Sequence, residues 1–546
     1  MKVVLTTLNA KYIHTNLALR WLYVARDKSF DVEIKEYTIK DDLIHVAGEI
    51  EKANPDIVGI SVYIWNCEET KVLIQHLHEK MPKLKIILGG PEVSFDVEEW
   101  LEYPIEAILR GEGEKVFWQA CRGESNIDGY VSKKEVSATH YAKVDVAWLE
   151  QLESPYYLSI DDYHRQHRYL YFETSRGCPY QCSYCLSSMD NQVRLFSEKY
   201  IRKQLQQLTP GFCKQVKFLD RTFNVDSERA LNIAKLIEEL KVDFSFQFEI
   251  VIDSLSENLL SFFAQSSKER FRFEVGVQTF NKDSLKNVRR IQSKEKLKTN
   301  IQRLVEVGCL LHVDLIGGLP YEDLKSFKAS FTELFSLKAE EIQVGLLKLL
   351  KGTPLREQAE TLGLVYNYKA PYTIEKTPWM TTEDVGKIEK IYQGVEKLYN
   401  SQRARETLLF CFQQGISIVD VFEDVGSAIL NFKGQVQVKD MFLMLYQSLR
   451  KHSNMNEKEL QALLNNDYYM GFKQAPPSLF NEDLSKMEIK RYKKEWVKLG
   501  IFDEQELYKY GKIKLGYNQN KIQWQVLIYN AQQQLPKRVW ITQEEK

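Results

Sequence analysis

The sequence lacks any excess of charge: 74 lysines and arginines meet 75 aspartates and glutamates, a formal net charge of −1. No global field therefore draws the chain to nucleic acid or to an anionic membrane surface. No uninterrupted apolar run reaches membrane length. The opening Met-Lys-Val-Val-Leu-Thr-Thr turns polar too early for a signal peptide. Cysteine is sparse, eight in 546 residues, which excludes a disulfide framework. Free thiols fit a reducing compartment, so a cytoplasmic protein with no membrane partner is expected. No internal repeat and no low-complexity segment is found. No Gly-x-Gly-x-x-Gly opens the first helix, which argues against a dinucleotide. What is present is a 44% hydrophobic chain, ample for real cores and long enough for three or four domains.

The pattern along the chain predicts an α/β protein. In residues 1–125, Val3-Val4-Leu5, Ile57 to Val62, Lys85 to Leu88 and Ala107 to Leu109 read as short buried strands. Helical stretches such as Glu69 to Lys80 separate them. That alternation means a parallel sheet covered on both faces. Such sheets bind ligands at the carboxyl ends of their strands, where Ser61, Gly89 and Gly90 fall. Residues 126–165 are polar and weakly periodic, and read as a linker ending in two exposed histidines, His164 and His167. In residues 166–360, six strand signals recur with helices between them: Tyr169–Phe172, Val216–Leu219, Phe244–Ile250, Phe271–Val277, Leu310–Ile316 and Ile342–Leu347. An open (βα)6 barrel fits that count. Residues 370–546 read as mainly helical, with one late strand from Trp524 to Tyr529.

Three cysteines stand in one short loop, Thr-Ser-Arg-Gly-Cys-Pro-Tyr-Gln-Cys-Ser-Tyr-Cys, as Cys178, Cys182 and Cys185. Thiolate is a soft ligand suited to iron–sulfur centres, so three of them can hold three irons of a cubane. No fourth cysteine lies near, which leaves one iron open to bind a second molecule and pass it an electron. Zinc is the other reading of such a loop. It prefers four ligands, usually from paired clusters, and no second Cys or His pair sits at that spacing. Gly177 lets the backbone fold close, Pro179 stiffens the loop, and Arg176 either tunes the centre or pairs with an acid.

Other candidates stand at strand ends. Asp220 closes the second barrel strand, as a ligand-facing acid or as part of a helix cap near Asn224 or Asp226. Glu249 is an acid among apolar residues and needs a partner, a ligand amine or an internal arginine. Glu274, Gly276 and Gln278 alternate onto one face of the fourth strand and read as a ligand wall. Gly317 and Gly318 permit close backbone approach to a ligand. The five remaining cysteines read as buried free thiols. The basic and aromatic run from Lys490 to Trp496 reads as a solvated helix face rather than a grip on nucleic acid.

In this order, these motifs resemble the radical S-adenosylmethionine (SAM) superfamily over roughly residues 166–360. Tyr184 before the last cysteine matches the usual pattern. The resemblance implies a partial (βα)6 barrel and a 4Fe-4S cluster on Cys178, Cys182 and Cys185. It also implies SAM on the open iron, cleaved reductively to a 5′-deoxyadenosyl radical. Asp220 and Glu249 would face the SAM side of the barrel; Glu274, Gly276 and Gln278 would lie near its ribose, and Gly317 and Gly318 near its adenine. The first domain is similar to the cobalamin-binding domains attached to such barrels. By that likeness Ser61 would hydrogen-bond the nucleotide tail, and Gly89 and Gly90 would leave room for it. The base-off motif Asp-x-His-x-x-Gly is missing, since His14 stands at its place without the Asp or the Gly. The tail resembles a domain found on these proteins.

The expected protein is thus a cobalamin-dependent radical SAM enzyme acting on a substrate that the sequence does not name, with methyl transfer to carbon as one outcome. A flavodoxin or ferredoxin is the expected reductant, and nucleic acid is not an expected partner. The alternatives are a tRNA methylthiotransferase and a non-catalytic cobalamin or redox sensor. The former needs three N-terminal cysteines where this chain has Cys67 and Cys121, and it ends in a small β-rich domain.

Overall fold

A strand buried on both faces needs no alternation, only apolar residues bounded by turns. In the computed structural model, which describes residues 1–134, 140–472, 484–529 and 535–541, such runs build the first sheet. Its strands stand in the order Asp31–Thr38, Lys2–Asn9, Ile57–Ser61, Lys85–Gly89, Ala107–Leu109, Tyr130–Val131. All pairings are parallel except that of the last strand. Ile57–Ser61 is buried at every position. One face packs Val4, Val58, Ile60, Ile86 and Leu88 on Leu73, Ile74 and Leu77 of the helix Cys67–Lys80. The other packs Val3, Leu5, Ile57 and Ile87 on Phe117 and Trp118. Strand order reverses about Lys2–Asn9 and Ile57–Ser61, and a crevice opens where connections leave to opposite faces.

Two strands of this sheet depart from the sequence reading. Asp31–Thr38 is a charged edge strand, and its polar composition hides it. Tyr130–Val131 falls inside the span read as a linker. That span therefore supplies the sheet's antiparallel edge, followed by the short helix Val146–Leu149.

The second sheet runs in chain order: Tyr169–Phe172, Gln215–Phe218, Phe246–Ile250, Phe271–Gln278, Leu310–Gly317, Glu341–Leu346. The pairings among its first four strands are parallel. Period-two alternation is strict in Phe271–Gln278: Phe271, Phe273, Val275 and Val277 are buried, while Arg272, Glu274, Gly276 and Gln278 share the partly open face. Register sets Glu249 beside Glu274, and Lys217 beside both Gln247 and Tyr171. The covering helix Ser227–Glu239 buries Ala230, Ile233, Ala234 and Ile237 at helical spacing and is capped by Asp226.

The chain divides into two compact units. The first is Met1–Val313, Gly318–Glu322 and Leu347–Thr381; the second is Asp314–Gly317, Asp323–Leu346 and the segment from Thr382 onward. The second unit is mainly helical, from Leu324–Ser336 to Glu504–Tyr510. It ends in the antiparallel sheet Gly511–Asn518, Lys521–Ile528, Lys537–Ile541. The predicted late strand is the middle one of these three; the strands on either side of it, Gly511–Asn518 and Lys537–Ile541, correct the reading of a single late strand. The run Lys490–Trp496 lies on the helix Lys486–Lys498, where Trp496 is fully buried. Lys493 Nζ donates to the carbonyls of Leu507 and Gly511, at 2.8 and 2.7 Å. Lys493 and Trp496 are thus core, while Lys490, Arg491, Lys494 and Glu495 form the exposed face that the sequence reading expects. Among the described residues no helix is long and apolar enough to cross a membrane.

Candidate cofactor site

Within the first unit, the carboxyl ends of the first sheet face a cavity of about 520 Å³. Ser61, Gly89 and Gly90 line it from the sheet; Ser175, Arg176 and Gly177 line it from the segment leading into the three-cysteine loop, and Leu219 and Arg221 from the end of the second barrel strand. Ser61 is held by its carbonyl, which accepts from Thr7 Oγ1 at 2.8 Å and Asn66 Nδ2 at 3.3 Å. A side chain at Gly89 would meet nothing nearer than 3.9 Å, so the floor is bare there. Gly90 has a different reason: with φ +106°, a Cβ would lie 2.4 Å from the Val62 carbonyl oxygen. Its bareness serves the approach of two strands rather than a ligand. His14 lies outside the cavity walls. Its Nδ1 is 2.7 Å from the Tyr171 hydroxyl, and burial followed by the Lys217 charge holds its pKa down.

Arg176 ties the cavity wall together. Its guanidinium meets Glu114 at 2.7 Å, Glu173 at 3.0 Å and Glu112 at 3.5 Å. Burial works against its charge, but the three carboxylates outweigh that and keep it firmly protonated. Burial pushes Glu173 up while Arg176 pulls it back, and Trp21 Nε1 donates to it at 2.9 Å. Of the two roles the sequence left open for Arg176, pairing with acids is the one seen. These acids come from both the Gly111-Glu112-Gly113-Glu114 turn and the end of the first barrel strand.

The loop itself is fixed by its backbone. The Cys178 N–H donates to Asp190 O at 3.0 Å, and the Ser183 N–H to Val288 O at 2.9 Å. Cys178 Sγ lies 3.8 Å from Thr222 Oγ1, and Cys182 Sγ 3.8 Å from Arg290 Nη1. Burial pushes the Cys178 thiol up, the Tyr180 N–H and the Thr222 hydroxyl pull it back, and Cys185 and Cys182 push it up again. Among the described residues, no trio of Cys, His, Asp or Glu converges on a single metal ion. A cubane is a larger object that takes one thiolate per corner, and soft sulfur donors with a guanidinium beside them suit its iron and its negative charge. Sequence reasoning missed Arg290, since nothing in Val288-Arg289-Arg290-Ile291 separates it from its neighbour.

The barrel wall holds the other candidates. Asp220 is 1% exposed, and its carboxylate accepts from the Thr174 N–H at 3.0 Å and from the Thr174 and Ser175 hydroxyls. Its oxygens organise the strand leading to the cysteines rather than facing open space. Glu249 pairs with Arg221 at 3.4 Å, but that arginine is exposed rather than the internal one expected, and Glu249 itself is partly open. Glu274 accepts from Gln247 Nε2 at 2.8 Å. A Cβ at Gly276 would lie 2.3 Å from Gln278 Nε2 and 3.4 Å from Arg290 Nη2, so that glycine makes room for two neighbouring side chains. Gln278 Oε1 is buried without a donor. Gly317 and Gly318 meet apolar side chains: a Cβ would run into Ile388 at the first and Ile374 at the second. Packing accounts for Gly317, and packing together with a φ of +87° accounts for Gly318.

Residues 3–120 match the family described as B12 binding domain, residues 172–334 the Radical SAM superfamily, and residues 360–545 a family described as Protein of unknown function (DUF4080). The chain is similar to an uncharacterized methyltransferase, PH0819, of Pyrococcus horikoshii, at 24% identity over 76% of this chain and 91% of that protein. It is also similar to the cobalamin-dependent radical SAM methyltransferase TokK of Streptomyces tokunonensis, at 25% identity over 60% of this chain and 53% of that one. It thus spans about half the length of TokK. Among solved structures it is similar to OxsB, a cobalamin-dependent SAM radical enzyme with aqua-cobalamin and S-adenosylmethionine bound. The TM-score is 0.60 at 16% identity, over 92% of this chain and 82% of that chain. At that identity the likeness is one of fold.

Proposed function

For an enzyme chain that joins a B12-binding domain, a radical SAM domain and a DUF4080 domain, we propose methyl transfer to an unactivated carbon of a substrate the chain does not name. The observation that carries this reading is the shared cavity: one space of about 520 Å³ is walled both by the strand ends of the B12-binding domain and by the segment leading into the cysteine loop. In such chemistry a 4Fe-4S cluster supplies the electron that cleaves SAM reductively, and cobalamin carries the transferable methyl group. Cys178, Cys182 and Cys185 would hold the cluster, with Arg290 offsetting negative charge at Cys182. Gln278, with its spare carbonyl oxygen, and Glu274 offer acceptors to hydroxyl groups on SAM. Ser61 and the bare floor at Gly89 would receive the cobalamin tail. Leu19, Leu22, Ile87 and Phe117 give the same space apolar walls.

A methylthiotransferase reading would need a second cluster from N-terminal cysteines. Cys67 is packed in one core of the first sheet and Cys121 in the core on its other side, so the two cannot serve one centre.

The test is anaerobic reconstitution of the full chain with iron, sulfide and cobalamin, then mass analysis after reduction with SAM. 5′-Deoxyadenosine together with S-adenosylhomocysteine supports methyl transfer. Deoxyadenosine alone points to another radical reaction on the same cofactors. Neither product removes the reading and leaves a sensor.

A further inference from the structure

The Gly111-Glu112-Gly113-Glu114 turn brings two carboxylates to the cavity wall, and they are treated differently. Glu112 is fully engaged: its oxygens accept from Arg194 at 2.6 and 2.9 Å and from the Val144 N–H at 2.6 Å. Glu114 is half engaged. Oε1 meets Arg176 Nη2 at 2.7 Å, but Oε2 is buried and meets no donor, in a side chain only 8% exposed. A buried carboxylate oxygen without a donor is costly, and native structures leave few of them. Glu114 is among the residues that line the cavity, so a ligand seated there can bring the missing donor once it settles against this wall.

We propose that Glu114 Oε2 accepts an N–H from a peripheral carboxamide of cobalamin, with Arg176 as the positioning residue that holds the carboxylate in place. The inference rests on reading this cavity as the cobalamin site. The corrin rim carries primary amides and no cations, so an amide N–H is the donor it can bring to such an oxygen. A carboxylate only accepts. The contact therefore discriminates: a corrin whose amide at that corner is replaced by a carboxylate would bring two anions together.

The experiment titrates the full-length protein by absorbance with aquocobalamin and with cobalamins in which one peripheral carboxamide is hydrolysed to a carboxylate. At least one monocarboxylate should bind the parent roughly tenfold or more weakly than cobalamin, the range for a lost charge-assisted hydrogen bond. E114Q should erase that preference, because a glutamine can donate to the carboxylate. R176K should retain it and R176M should lose it, which a purely structural role for Arg176 would not produce. Because the monocarboxylates probe the unmodified protein, the proposal stays testable even if a variant folds poorly. A parent that binds all the corrins alike, or an E114Q variant that keeps the parent's ranking, overturns the role of Glu114 and leaves the cobalamin reading standing. A parent that binds no cobalamin at all removes both.

Discussion

Replacing Asp220 by asparagine separates two roles that the sequence leaves open. In the structure its carboxylate takes three donors, the Thr174 N–H and the Thr174 and Ser175 hydroxyls. Arg229 stands behind, donating to Thr174 Oγ1 at 3.2 Å and to Thr174 O at 2.8 Å. Asparagine keeps the shape but turns one acceptor into a donor and removes the charge that faces Arg229. Hydrogen bonds to a charged group are worth about 1.5–3 kcal/mol each, while Arg229 keeps its bonds to the Thr174 and Phe196 carbonyls. A loss of about 1.5–3 kcal/mol is a sizeable share of the roughly 5–15 kcal/mol that holds a folded chain. D220N should therefore melt several degrees lower, by calorimetry or dye binding. It should also incorporate less iron, because Thr174 and Ser175 lead directly to Cys178. A variant that melts within a degree of the parent, holds full iron and instead binds SAM weakly would refute this reasoning and return Asp220 to the ligand.

Three further outcomes are expected. C182A should lose bound iron after anaerobic reconstitution while keeping its circular dichroism and its cobalamin binding, since Cys182 is not part of the cavity wall. G276A should cost little stability, about 1 kcal/mol, because the clashing Gln278 amide is the free end of a flexible side chain; its deoxyadenosine yield should nonetheless drop, and unchanged yield would count against the wall. In the second unit, Asp467 accepts from the Glu406 and Thr407 N–H groups at 3.2 and 2.7 Å, and burial pushes its carboxyl up to about 7. The folded state then holds a proton that the unfolded state has released, so stability falls as pH rises from about 4 to about 7, by at most about 4 kcal/mol. Melts at pH 5 and pH 8 should differ less for D467N than for the parent.

The barrel was legible because its strands are short aromatic and β-branched runs with a period of two, and all six bounds agree within two residues. The cysteine loop was legible because its ligands are adjacent in sequence. Features that depend on distant partners were not. Asp31–Thr38 reads as a polar stretch and becomes a strand only because Lys2–Asn9 lies beside it. Arg290 looks like Arg289 until folding sets it against Cys182. The paired glycines Gly317 and Gly318 invite a ligand on paper, but Ile388 and Ile374 occupy the space they leave. Lys493 sits in a basic run, yet its ammonium satisfies two carbonyls in the core.

The cavity's composite wall restricts how such a protein can be reshuffled over time. Neither the first sheet nor the barrel encloses it alone, and Arg176 in the barrel half clamps carboxylates contributed by both halves. A recombinant ancestor that exchanged one half for a foreign counterpart would inherit unmatched charges at the seam. Lineages that diversify should therefore carry Glu112, Glu114, Glu173 and Arg176 together or replace them together, and novelty should accumulate on surfaces away from that join.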